Sequence, residues 1–295
     1  MRDWLLLIVI IIILAALITF AAQSMAGSPK HVAWDGASNG SWDSVGGNVF
    51  YWRLGGAAAP SWTPNITPVA HWNFQQTNAT ATLDVIASAR HATNEPSVAT
   101  GPTRKPTEYT NINGRTEAIY DFDGTDDRFL TSLCSATLTV NNAFTMAAWV
   151  RLDTNTSTRL VYGDASGGFG VGMWFSTSPA NTWRAGVNMG SGFKAADVAV
   201  TNPLKTWVHL AMEGTRTSIA MYVNGNAPSN TFFADTGFLD NTFGMTLGCR
   251  TDGTVRDLFW DGFLDDFRAY TNLIGLTEVQ LIYSNTRPTA NIEVR

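Results

Sequence analysis

The chain has 295 residues, a net charge of −5, only 15% charged residues and 11 tryptophans. This length is enough for one large domain or two small ones, and a composition rich in aromatics and poor in charge excludes a disordered chain. No cluster of lysine and arginine occurs, so a nucleic-acid partner is not expected. The four histidines and two cysteines are too scattered to predict a zinc site.

The chain begins with an apolar run, residues 4–22, that contains no charged residue. As a helix this run would measure roughly 28 Å, close to the hydrocarbon thickness of a bilayer. It exceeds the usual apolar core of a signal peptide, so we predict a single-pass membrane anchor over residues 1–25, in contact with lipid. A cleaved signal peptide is the alternative, because residues 24–26 form a small-x-small cleavage site. Arg2 favours a cytoplasmic N-terminus, which would place the rest of the chain in the periplasm or outside the cell.

Residues 26–66 are rich in glycine, serine, alanine and proline, and we predict a connector there. It carries four tryptophans, Trp34, Trp42, Trp52 and Trp62. A pure spacer has no need of such side chains. Two interpretations stay open: the rings pack on the neighbouring domain or at the lipid headgroups, or they dock onto a partner, namely other membrane protein subunits.

From residue 67 onwards the pattern is that of short strands separated by polar turns. In residues 144–152 apolar side chains occupy every second position, which predicts a strand with one apolar face against another sheet. Asn224-Gly225 predicts a hairpin turn, because both residues tolerate positive φ. The series predicts an all-β fold, a two-sheet antiparallel sandwich.

The end of the chain departs from this pattern. Thr277 and Gln280 fit a capping box, which predicts a short helix over residues 276–283. We expect this helix to close one end of the sandwich, and residues 287–295 to form a tail.

Six motifs in this order resemble a laminin G-like domain of the concanavalin A-like jelly-roll superfamily, over residues 67–286. They are residues 69–74 (VAHWNF), 122–127 (FDGTDD), 144–150 (FTMAAWV), 207–211 (WVHLA), 221–225 (MYVNG) and 262–270 (GFLDDFRAY). The resemblance implies a two-sheet jelly roll.

Enzymes are known in this superfamily, but their signature is not found here. Related glucanases carry Glu-x-Asp-x-x-Glu on one strand, which places the carboxylates on one face for glycosidic bond cleavage. Here Asp121, Asp123 and Asp126 lie where a strand meets a turn, so we expect them to accept backbone N–H groups. His209 lies within a strand, and a packed histidine is expected. We therefore expect no enzymatic activity.

The resemblance also implies a calcium ion near the edge of the sandwich. The matching residues are Asp265, its neighbour Asp266, and Asp84. The loop after Asp84 lacks the glycine and asparagine common in the family, so hydrogen-bonded aspartates are the alternative. Cys134 and Cys249 form a disulfide outside the cytoplasm or remain two buried thiols.

Two functions from different classes remain. The first is a non-catalytic, membrane-anchored subunit that scaffolds or stabilises a larger membrane protein complex. The second is a surface module that binds carbohydrate or protein. Its candidate ligand-binding residues are Trp149, Trp174 and Trp183, which are otherwise core aromatics.

Overall fold

The computed structural model describes residues 40–45, 49–54, 67–72, 77–78, 81–82, 92–95, 101–110, 116–164, 170–201, 203–240, 242–251 and 256–286. The chain divides into two compact units, Met1–Ala59 and Pro60–Arg295. In the first unit the described residues form an antiparallel hairpin of β1 (Gly40–Val45) and β2 (Val49–Leu54). The predicted anchor, Asp84, Trp34, Trp62 and the predicted tail lie outside the described residues.

The second unit contains an eight-stranded sheet of antiparallel strands in the order β17-β16-β15-β10-β21-β8-β7, with β3 also paired to β21. Its strands are β3 (Ala70–Trp72), β7 (Thr103–Thr110), β8 (Thr116–Asp123), β10 (Ala143–Leu152), β15 (Trp207–Thr215), β16 (Ser218–Val223), β17 (Ser229–Phe232) and β21 (Asp261–Tyr270).

A nine-stranded antiparallel sheet faces it, in the order β14-β13-β12-β11-β18-β9-β6-β5-β4. Its strands are β4 (Thr77–Asn78), β5 (Ala81–Thr82), β6 (Ala92–Glu95), β9 (Arg128–Leu130), β11 (Arg159–Gly163), β12 (Val171–Ser176), β13 (Thr182–Met189), β14 (Gly192–Ala199) and β18 (Thr246–Leu247). A small ribbon is formed by β19 (Arg250–Thr251) and β20 (Arg256–Asp257).

The main core lies between the two sheets, and β10 shows why. Its side chains at every second position, from Phe144 to Leu152, belong to one buried apolar cluster with Phe175 and Trp183 of the nine-stranded sheet. Successive side chains of a strand point to opposite faces, so these residues share the inner face. The predicted alternation and the all-β sandwich are confirmed.

The hairpin turn predicted at Asn224-Gly225 is also present. Asn224 has φ of 54° and Gly225 has φ of 68°, the left-handed region that these residue types tolerate. The turn is anchored to β15, because the side-chain Oδ1 of Asn224 accepts the N–H of His209 at 2.9 Å.

The fold has two helices among the described residues, α1 (Ser135–Leu138) and α2 (Gly275–Thr286). The helix predicted at residues 276–283 is confirmed, but its expected position was wrong. Val279 and Ile282 of α2 pack on Ala147 and Ala211, on the outer face of the eight-stranded sheet. The helix therefore covers a face of the sandwich and does not close its end.

The predicted capping box was wrong as well. The helix begins at Gly275, so Thr277 lies inside its first turn. The carboxylate of Glu213 on β15 instead accepts the N–H groups of Ile274, at 2.8 Å, and Gly275, at 2.6 Å. A distant side chain thus accepts N–H groups at the start of the helix, where backbone donors lack intrahelical partners.

Within the described part of the chain, no helix has the length and apolar character required to cross a membrane.

Candidate functional site

Two aromatic rings, Trp174 and Phe193, meet on the outer face of the nine-stranded sheet and form what we call the aromatic platform. The residues flanking Trp174 on β12, Met173 and Phe175, belong to the core, so strand alternation turns Trp174 outward. The two ring centroids lie 5.7 Å apart at an interplanar angle of 36°. Trp174 is partly exposed and Phe193 is 46% exposed.

The platform rests on Gly186 of β13. A Cβ atom at this position would lie 2.3 Å from Cη2 of Trp174 and 2.6 Å from the ring of Phe193. Any side chain would therefore displace both rings, and glycine in a strand interior here marks a close approach.

An ion pair borders the platform. Arg184 lies opposite Trp174 on β13, and Asp197 lies opposite Arg184 on β14. The guanidinium donates from Nε to Oδ1 at 2.6 Å and from Nη2 to Oδ2 at 2.8 Å. The hydrogen bond to Asp197 raises the pKa of Arg184, so the guanidinium keeps its charge. The surface thus combines flat apolar rings with adjacent donors and an acceptor.

The other two predicted ligand-binding tryptophans are buried, each 1% exposed. Trp149 stacks on Tyr283 of α2, with centroids 5.5 Å apart, and its indole N–H donates to Oγ1 of Thr286 at 2.7 Å. Trp183 belongs to the core between the sheets. The alternative that the sequence left open, packed aromatics, is what the structure shows for both, and Trp174 alone of the three reaches the surface.

Two of the aspartates that the resemblance implies for calcium, Asp265 and Asp266, are buried, and Asp266 is bonded to other protein side chains. Asp266 is bonded by His71 Nε2 at 2.6 Å and by Arg268 Nη2 at 3.0 Å. Burial would raise the pKa of Asp266, but Arg268 and His71 outweigh it and hold that pKa below its usual range. The guanidinium of Arg268 and the imidazole of His71 thus already bond this carboxylate, an arrangement that does not suit a calcium ligand.

Asp265, 1% exposed, lies opposite Trp149 in the register of β10 and β21. Burial, and then the charge of Asp266, raise its pKa well above the usual value. With Asp84 outside the described residues, calcium binding at this set stays a prediction without structural support.

A second acidic group lies at the end of β8 and in the turn that follows it. Carboxylate oxygens of Asp123, Asp126 and Asp127 lie within 4.8 Å of one another, the one group of three metal-binding side chains among the described residues. Asp123 Oδ1 accepts the N–H of Thr125 at 2.8 Å, and Asp127 Oδ2 accepts the N–H of Asp123 at 2.8 Å. The expectation that these aspartates stabilise a turn is confirmed for Asp123.

The sequence did not indicate Asp164, which follows β11 and has no exposed surface. Its carboxylate accepts the N–H groups of Val171, at 2.8 Å, and Ser135, at 3.1 Å. Burial raises the pKa of Asp164 to about 6 despite these bonds, and Asp240 nearby adds to the shift. A charged residue directly after an apolar strand is the signal that would have identified it.

Both cysteines are free thiols, so the disulfide alternative is not realised. Cys134 Sγ contacts Oγ1 of Thr137 at 3.2 Å, and Cys249 lies against Thr246. Burial raises the pKa of Cys249 to about 11, which keeps this thiol protonated and unreactive.

Two of the four connector tryptophans lie on described backbone. Trp42 and Trp52 are directly opposite each other in the β1–β2 pairing. The connector therefore contains a hairpin, and partner binding by its tryptophans stays a prediction.

The two facing antiparallel sheets define the class of the protein as a jelly-roll-type β-sandwich. A laminin G family model, described as the concanavalin A-like lectin/glucanases superfamily, matches residues 123–280, and the chain belongs to this superfamily. Among curated proteins no sequence matches this chain.

Many solved structures share the fold. A Trypanosoma rangeli sialidase in complex with the inhibitor DANA is 14% identical, with a TM-score of 0.54 over 78% of this chain and 36% of its own. A botulinum neurotoxin type C structure, from work on cell entry that depends on two ganglioside molecules, is 8% identical, with a TM-score of 0.50 over 73% of this chain and 50% of its own.

The binding domain of botulinum neurotoxin DC in complex with rat synaptotagmin II is 7% identical, with a TM-score of 0.51 over 73% of this chain and 51% of its own. This chain thus spans between about a third and a half of the length of these structures. At such low identities the likeness shows the fold alone.

Proposed function

We propose that the β-sandwich is a non-catalytic surface module that binds carbohydrate through the aromatic platform. The observation that supports this proposal most directly is the pair of rings, Trp174 partly exposed and Phe193 exposed, which lie on Gly186 beside a bidentate ion pair. A sugar ring has an apolar C–H face that packs on aromatic rings and hydroxyl groups that bond to charged partners.

Two structural neighbours support carbohydrate as the ligand class. The type C neurotoxin depends on ganglioside molecules for cell entry, and the sialidase is also known with 2,3-difluorosialic acid. These facts concern those proteins, so the proposal rests on the platform. The scaffolding role in a membrane complex, the other function suggested by the sequence, finds no support in the fold or in the comparisons.

The test is calorimetric titration of the full chain with a panel of neutral and acidic oligosaccharides. We expect at least one ligand to bind, and Trp174→Ala and Phe193→Ala each to weaken its binding by about tenfold, because each removes a stacking face. Phe232→Ala is the matched control: Phe232 is 78% exposed and lies on β17 of the other sheet. A silent panel, or equal binding by Phe193→Ala and the unaltered chain, would overturn the proposal.

A further inference from the structure

A second surface feature lies away from the aromatic platform, at one end of the sandwich. It is a cleft of about 390 Å³ between the two sheets, which we call the end cleft. Its lining comes from both sheets and from the loop between β14 and β15: Trp183, Val198, Ala199, Val200, Thr201, Pro203, Thr206, Val208, Val223, Asn224, Asn226 and Ala227.

The end cleft is apolar at its base and polar at its mouth. At the base, Trp183 and Val208 are core residues from opposite sheets, 1% and 7% exposed. Above them, the half-buried side chains of Val198, Val200 and Val223 form the apolar walls. Thr201, Thr206 and Asn226 are exposed at the mouth. Such a gradient suits a ligand with an apolar group at one end and a polar group beside it.

Each of the two asparagines at the mouth uses one atom of its side-chain amide, the oxygen or the nitrogen, in a hydrogen bond within the protein. Asn224 Oδ1 accepts the N–H of His209 at 2.9 Å, and Asn226 Nδ2 donates to the carbonyl of Val223 at 3.0 Å. The remaining donor, Asn224 Nδ2, and the remaining acceptor, Asn226 Oδ1, have no hydrogen-bond partner among the described residues. A ligand that carries both an acceptor and a donor would complete the pair.

The charge of the lining residues and the volume of the end cleft restrict the ligands that it can bind. None of the lining residues is ionisable, and a charged group placed in the cleft would lose its hydration without gaining a counter-charge. The ligand is therefore neutral. A volume of about 390 Å³ lies near the lower limit for small-molecule sites and admits one sugar ring with its substituent.

We propose that the end cleft binds the acetamido group of a neutral N-acetylhexosamine. The methyl group lies on the half-buried side chains of Val198, Val200 and Val223. The amide carbonyl accepts from Asn224, and the amide N–H donates to Asn226. This inference extends the proposed carbohydrate function to a separate surface, and it assigns that surface a specific substituent of the sugar.

The test uses two disaccharides of the same linkage, N,N′-diacetylchitobiose and cellobiose, which differ in the acetamido groups. With the full chain, saturation-transfer-difference NMR is expected to show the strongest transfer on the acetyl methyl protons of diacetylchitobiose. For cellobiose, any saturation transfer that is observed is expected to stay the same when the cleft is blocked. Equal transfer to both disaccharides would overturn the inference.

Two variants locate the binding. Ala227→Trp places an indole at the cleft mouth from an exposed loop residue, and Asn226→Ala removes the unpaired acceptor. Each is expected to weaken diacetylchitobiose binding by about tenfold. Thr217→Trp, at an exposed turn residue outside the lining, is the matched control and should bind as the unaltered chain does. Thermal unfolding of every variant verifies the fold.

The results with the variants distinguish a failure of this inference from a failure of the proposed function. Binding that is lost with Trp174→Ala but kept with Ala227→Trp would place the disaccharide on the aromatic platform and overturn the cleft assignment. Absence of diacetylchitobiose binding, while other glycans bind through Trp174, would do the same and leave the proposed function intact. Loss with Ala227→Trp alone would support the cleft.

Discussion

His209 shows how far burial changes a single residue in this fold. Its side chain lies on the outer face of the eight-stranded sheet between Trp149, at 5.2 Å, and Tyr283, at 6.0 Å between ring centroids. Neither ring nitrogen has a hydrogen-bond partner among the described residues. Burial lowers the pKa of His209 to about 3; Asp266 opposes this shift and Arg268 adds to it.

This lowered pKa has a definite consequence for acid stability. Unfolded histidine has a pKa near 6.5, so between about pH 6.5 and pH 3 the unfolded chain binds a proton that the folded chain does not. The stability that a neutral His209 contributes to the fold is fully present above about pH 6.5 and is lost as the pH falls towards 3.

We therefore predict that His209→Phe retains the stability of the fold at pH 7, within about 1 kcal/mol, because an apolar ring leaves no unpaired polar atoms. Between pH 6.5 and pH 4, the free energy of unfolding of the same variant should fall less than that of the unaltered chain. Urea unfolding at half-unit pH steps measures both effects. A variant that is destabilised by several kcal/mol at pH 7 would show that the imidazole makes a needed bond.

At the scale of elements, α2 depends on a carboxylate from the sheet that it covers. Glu213 is 7% exposed and, besides the N–H groups of Ile274 and Gly275, accepts the hydroxyl of Tyr222 at 2.5 Å. The negative charge faces the positive end of the helix dipole, and the bonds satisfy donors that a helix N-terminus leaves unpaired. Burial and the bond to Glu213 raise the pKa of Tyr222, so this hydroxyl stays a donor.

We predict that Glu213→Gln lowers the free energy of unfolding by about 1–2 kcal/mol, since it removes the charge and gives the side chain a donor where an acceptor is needed. Urea unfolding followed by far-UV circular dichroism checks this. Asp235→Asn is the matched control, because Asp235 and its partner Arg216 are both exposed, and such pairs contribute about 0–1 kcal/mol. Equal effects of the two changes would contradict the capping role.

The same elements show what the sequence could and could not predict. The alternation in β10 and the turn at Asn224-Gly225 are local patterns, and both were predicted correctly. The start of α2 depends on Glu213, 61 residues before Ile274, so a local capping pattern at Thr277 was misleading.

The candidate site was predictable only in part for a related reason. Strand alternation assigns Trp149 and Trp174 each to an outer face, but it does not reveal that α2 covers Trp149 while Trp174 stays at the surface. Phe193 and Gly186 become part of the platform through pairing of β12, β13 and β14, which no single segment encodes.

At the scale of the whole molecule, the division of the chain after Ala59 predicts that the unit Pro60–Arg295 folds independently. The main core cluster draws its residues from Ala70 through Ala269, all within the unit Pro60–Arg295. A unit that contains its complete hydrophobic core can fold by itself, and a boundary between units falls where few contacts cross.

We therefore predict that a chain of residues 60–295 unfolds in one cooperative transition, because the two sheets share the main core and α2 packs on the outer face of one of them. Its midpoint should lie within about 4 °C of the corresponding transition in the full chain, a difference of less than about 1 kcal/mol for a unit of this size. Calorimetry of both chains in the same buffer makes the comparison. A shortened chain without a cooperative transition would mean that residues 1–59 contribute to the core, and the two-unit division would then be wrong.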